Sequence, residues 1–207
     1  MSSRFDVLRS LVRGATRSAS RRVRNLGPVT NARRVLAELK AMRATLTEGA
    51  LSSAVAQAEG VEGATVRITG GRVLVDVDWT DGEHTAVAIW PERARFAPRG
   101  AKEVVFRVDP PEHVRGRRTR EIVGGIAAAI ARALWGPVLG ARGAAEQALV
   151  ETEGARLRCD LRTVPAVRAA FDGSGLAPVL DVIALEGFVV EENYLRLQLK
   201  LPTGTPF

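Results

Sequence analysis

The side chains of this 207-residue chain best suited to chemistry are two histidines, one cysteine and three closely spaced aspartates, and their spacing supports little of it. His84 and His113 are far apart, each beside turn or loop residues, so neither forms the nucleophile–base pair that acid–base or covalent catalysis needs. Asp76, Asp78 and Asp81 begin like a calcium loop, but Trp79 interrupts the run and no glutamate closes it. Asp76 and Asp78 are read instead as the solvent-facing partners of a valine-rich strand, and Asp81-Gly82 as the next turn. Cys159 has no second cysteine, which excludes an intrachain disulfide framework and a cysteine-based zinc site. It alternates with Leu157 and Leu161 on one strand face, the pattern of a small buried hydrophobe rather than a reactive thiol. Gly70-Gly71 is a hairpin turn and no Gly-Lys-Ser/Thr follows a strand, so there is no phosphate loop. Glu191-Glu192 falls in a turn, where solvation accounts for it. No catalytic residue, metal site or cofactor is expected.

Anion contact is the chemistry the chain does favour. Up to Arg43 there are eleven basic residues (Arg4, Arg9, Arg13, Arg17, Arg21, Arg22, Arg24, Arg33, Arg34, Lys40 and Arg43) against Asp6 and Glu38. The whole chain has 30 basic and 23 acidic residues, so the remainder is close to neutral. A cationic arm on a neutral body reads as a docking element for a membrane leaflet, nucleic acid or an acidic protein. A second basic cluster, Arg115, Arg117, Arg118 and Arg120, sits where a helix begins. Cations there oppose the helix dipole, which points to a role in holding an anion.

The elements that position these groups follow from periodicity. Phe5, Leu8, Val12, Ala15, Ala19 and Val23 recur at three- and four-residue spacing, flanked by the arginines, so the arm is a basic amphipathic helix ending near Gly27-Pro28. A second helix is expected from about Asn31 and a third over Thr47–Ala58, with Thr47 as N-cap. The pattern then changes to alternation. Ala64–Thr69 and Arg72–Trp79 form a hairpin, and Thr85–Trp90, Arg93–Ala97 and Glu103–Val108 continue an antiparallel meander. Pro110-Pro111 closes it. From Thr119 to Trp135, Ile122, Ile126, Ile130 and Leu134 lie at every fourth position among alanines and Gly124-Gly125. A helix this smooth and charge-poor is buried over most of its surface. Gly136-Pro137 is expected to end it. Strands at Ala148–Glu153 and Arg156–Arg162, a short helix at Pro165–Phe171 and a hairpin of Val182–Val190 with Tyr194–Leu201 complete the chain.

The reading is an α+β fold: a basic helical arm over 1–45, then one domain over 46–207 with a curved antiparallel sheet packed around one long smooth helix. An apolar content of 46% is enough for a core, and aromatics at 5% leave it to Val, Leu, Ile and Ala. No stretch approaches the roughly 20 apolar residues of a membrane span. The first residues lack the apolar core of a secretory signal. The Ala-, Arg-, Gly- and Val-rich composition suggests a GC-rich bacterial genome. Together these place the chain in the cytoplasm, peripheral to the membrane.

The order of elements, from Leu46-Thr47-Glu48-Gly49-Ala50-Leu51 through the hairpin Val66–Val75 and the long helix to Val179–Val190, resembles the tubular lipid-binding proteins of bacteria, in particular the LmeA-like group. The resemblance spans about 46–201 and implies a sheet wrapping a helix, an apolar groove for acyl chains and no catalytic residues. The chain departs from that group in lacking a signal peptide. The expected cleft lies beside the long helix, lined by Ile122, Ile126, Ile130, Val75, Val77 and Leu197. The functional expectation is a non-enzymatic protein that binds lipid or a membrane surface, anchored through Arg4, Phe5, Leu8, Arg9, Val12, Arg13, Arg17, Arg21, Arg22 and Arg24. The alternative is a structural or assembly protein whose arm binds nucleic acid or an acidic protein.

Overall fold

The computed structural model describes residues 43–97, 100–139, 147–173 and 184–200. The arm helices, including every anchoring residue from Arg4 to Arg24, lie outside the described residues. Within them the fold is α+β, with antiparallel strands throughout.

The first element is a strand that periodicity did not reveal. Strand β1, Arg43–Thr47, is five residues long, with only Ala44 and Leu46 turned toward the core, too short a run to register as alternation. It straddles the 45/46 boundary drawn between arm and domain. Thr47 then caps helix α1, Glu48–Val55, as expected: its Oγ1 accepts from the Ala50 amide at 3.3 Å. Leu51, Ala54 and Val55 are the buried face.

Strands β2 (Val61–Thr69) and β3 (Arg72–Trp79) pair as the anticipated hairpin. Gly70 and Gly71 both have positive φ, +57° and +74°, the two-residue turn whose twist matches that of the strands. Val73, Val75, Val77 and Trp79 point inward. Strand β4, His84–Phe96, is one strand where two were expected. A bulge between Pro91 and Arg93 moves the inward set from Val87 and Ile89 to Ala94 and Phe96, and this change of phase mimics a strand break. Strand β5 follows at Lys102–Asp109.

Helix α2 runs from Arg117 to Leu139. It passes through Gly136-Pro137 instead of stopping there. A proline this close to the helix end removes a single backbone bond, and the helix closes two residues later. Every residue from Ile122 to Ala131 is buried. Strands β6 (Val150–Glu153) and β7 (Arg156–Asp160), helix α3 (Pro165–Gly173), and strands β8 (Ala184–Glu191) and β9 (Tyr194–Lys200) complete the described fold.

The strands divide between two sheets where one was expected: a six-stranded sheet in the order β2-β3-β4-β5-β7-β6 and a three-stranded sheet β1-β9-β8. Strand β8 packs against β4, and inward residues of both sheets join α1, α2 and α3 in one hydrophobic cluster.

Candidate functional site

The six residues expected to line a cleft come together. Val75, Val77, Ile122, Ile126, Ile130 and Leu197 all belong to the common core, each no more than 1% exposed. Ala128 and Ala129 beside them are buried as well. The space left by the two missing side chains at Gly124-Gly125 is occupied, by backbone at Gly125 and by backbone with the Gln147 side chain at Gly124. A Cβ on Gly125 would lie 3.0 Å from the Ala54 carbonyl oxygen and 3.2 Å from Val55 Cα, and one on Gly124 would lie 3.1 Å from the Ala148 carbonyl oxygen. The glycine pair therefore admits α1 on one side and the segment leading into β6 on the other.

The second basic cluster is split by its neighbours. Arg118 forms ion pairs with Asp81 and Glu83 and lies 5.1 Å above the Trp79 ring, so it ties the β3–β4 turn to the start of α2. Arg117 pairs with Glu121 at 2.7 Å, and that hydrogen bond, then the glutamate's charge, raises the guanidinium pKa above its ordinary value. Arg115 and Arg120 are exposed. Only these two of the four arginines have no ion pair among the described residues.

The titratable residues singled out by type are engaged in ordinary structural contacts, except that the buried Nδ1 of His113 has no hydrogen-bond partner among the described residues. His84 Nδ1 is 2.9 Å from Asp78 Oδ1, while Asp76 faces Arg67 at 3.5 Å. Asp81 accepts the Glu83 amide across its own turn in addition to Arg118. Among the described residues no group of three or more His, Cys, Asp or Glu side chains is placed to hold a metal ion. Cys159 is fully buried, and desolvation pushes its thiol pKa well above the ordinary value.

Two features escaped the sequence reading. Lys102 is completely buried, its Nζ donating to the Ala97 carbonyl at 2.6 Å and lying 5.9 Å from the Phe96 ring. It shares the inward face of β5 with Val104, Phe106 and Val108, one residue before the strand expected from Glu103. The outer face of the large sheet bears a lattice of ion pairs. Arg93 pairs with Glu153, Arg107 and Arg156 share Glu92, and Arg158 lies between Glu103 and Glu151. These residues come from β4, β5, β6 and β7, and the pairs Arg93–Glu153 and Arg156–Glu92 reach across intervening strands. Comparison with known proteins adds no relative: no family model, curated protein or solved structure matches this chain.

Proposed function

We propose that this chain is a non-enzymatic binding protein that attaches a closed α+β domain to an anionic membrane surface through its basic amphipathic arm. The observation that supports this most is the partition of charge. The arm holds eleven cations against two acids, while the arginines of the body are largely engaged with its own carboxylates, as at Arg93, Arg107, Arg117, Arg118, Arg156, Arg158 and Arg196. Net positive charge is thus concentrated in the arm. Each basic residue close to an anionic leaflet contributes about 1 kcal/mol, and an apolar stripe such as Phe5, Leu8 and Val12 adds burial in the interface plane.

The closed packing at Gly124-Gly125 favours attachment at the surface over an acyl chain held inside the domain. Among the described residues no helix is long and apolar enough to cross a membrane.

The deciding experiment is co-sedimentation with vesicles. Binding to vesicles containing anionic lipid, with little binding to neutral ones and loss on adding salt, is the expected result. Equal binding to both kinds, or to neither, sinks the proposal. Phe5→Asp with Leu8→Asp separates a membrane from a phosphate polymer: it abolishes vesicle binding but barely changes attraction to nucleic acid, which depends on charge. Retained vesicle binding by that variant would also overturn the reading.

A further inference from the structure

Strand β2 is the terminal strand of the six-stranded sheet, and its composition suits it to accept another strand. It has nine residues, is rich in Val, Thr and Ile, and contains no proline. An antiparallel copy of β2 centred on Val66 would place Ile68 opposite Ala64 and Arg67 opposite Thr65, with no like charges facing one another. The opposite edge of the same sheet needs no such attention. Strand β6 has four residues, two of them glutamate.

The edge of β2 is nevertheless closed over Val66–Ile68. The Val66 amide donates to Ser52 Oγ at 2.9 Å, and the Ile68 amide donates to Glu48 Oε1 at 2.6 Å. The Ile68 carbonyl accepts from the Asn193 amide at 2.9 Å. The fit is geometric. Residues four apart on a helix are separated by about 6 Å along its axis. Alternate residues of a strand repeat every 6.6 Å or so, and it is alternate residues that turn their amides to one edge. Glu48 and Ser52 thus present two acceptors at nearly the spacing of two edge amides. Ser52 is further oriented by donating its hydroxyl to the Glu48 carbonyl at 2.9 Å.

We propose that Glu48 and Ser52 make α1 a guard on the β2 edge, taking the place of a paired strand and preventing β2 from adding the β2 strand of a second copy. The helix is held in that position by the Thr47 cap and by the close approach at Gly125.

The test compares the full chain with Glu48→Ala/Ser52→Ala and with Glu48→Gln/Ser52→Thr, which keeps both acceptor oxygens. Two readouts are taken: amide hydrogen exchange at Val66 and Ile68, and molar mass by light scattering over a concentration series. The alanine pair is expected to exchange those two amides about tenfold faster at low concentration and to dimerise as concentration rises, while the conservative pair behaves as the parent does. Faster exchange without self-association overturns the guard role, as does unchanged exchange. If the double alanine variant does not fold, Ser52→Ala alone is read at the Val66 amide and by mass under the same criteria.

Discussion

Replacing Gly125 with alanine adds one methyl group at the closest approach of α1 and α2. In an ordinary helix interior the exchange would stabilise by about 1 kcal/mol, because alanine restricts the unfolded chain and favours the helix. Here the new Cβ would meet the Ala54 carbonyl oxygen at 3.0 Å, Val55 Cα at 3.2 Å and the Ala54 carbonyl carbon at 3.4 Å. All three are backbone atoms in the last turn of α1, so no side-chain rotation relieves the contact. The turn itself is pinned by the buried Leu51 and Val55 and by the bonds from Glu48 and Ser52 to β2. Overpacking of this kind costs about 1–3 kcal/mol, and a backbone obstacle on a tethered helix belongs toward the upper end. The net expectation is a loss of about 1–2 kcal/mol, lowering Tm by roughly 2–8 °C for a chain of this size. Gly49→Ala is the control: it is also helical, but nothing lies within 4 Å of its Cβ, so it should be neutral or slightly stabilising. Thermal unfolding followed by circular dichroism decides it. A Gly125→Ala variant as stable as the parent would show that α1 and α2 are not in contact as described, and the backbone-filling argument for Gly124-Gly125 would fall with it.

Arg118→Ala should lower stability by only about 1 kcal/mol, since its carboxylate partners are more than half exposed and water screens such pairs; Arg118→Lys should recover part of the loss, lacking the planar fork that reaches both Asp81 and Glu83. Lys102→Ala should cost about 2–4 kcal/mol by leaving a cavity at a fully buried site, and Lys102→Met less than half of that, as measured by denaturant unfolding. For Cys159 the sign of the pH effect is fixed by the raised thiol pKa. Its contribution is fully present below the unfolded thiol's pKa of about 8.5 and is lost at higher pH, by up to about 1.4 kcal/mol per pH unit, because only the unfolded chain ionises there. The difference between parent and Cys159→Val should therefore shrink above pH 9, and native protein should resist thiol-labelling reagents until it unfolds.

What could be read from the sequence is what local physics determines. The Gly70-Gly71 turn, the Thr47 cap, the fourfold isoleucine spacing of α2 and the alternation of β3 all declared themselves, because each is set by residues close together in the chain. The errors share a complementary cause. The bulge at Pro91–Arg93 shifts the inward phase within one strand, and period counting takes that shift for two strands. Strand β1 presents only two inward residues. The division into two sheets and the arginine–glutamate lattice both depend on how the strands are ordered in space. That is decided by contacts between β5 and β7, about fifty residues apart in the chain, or β1 and β9, farther apart still.

The same distinction bears on the site. Four arginines between 115 and 120 look like one basic patch because sequence shows their proximity but not their partners. Folding brings Asp81 and Glu83 to Arg118, and it brings Glu121 to Arg117 one helical turn away, so half the patch is neutralised locally. A charge count along a chain is therefore most informative where acidic residues are scarce nearby and few carboxylates remain uncommitted elsewhere. The segment up to Arg43 meets the first condition directly, with Asp6 and Glu38 its only acids. The body approaches the second, because Glu92, Glu103, Glu121, Glu151, Glu153 and Glu191 are already paired with its own arginines. If the arm is the anion-binding element, as proposed, the salt dependence of that binding should be lost with the arm's arginines and not with those of the sheet.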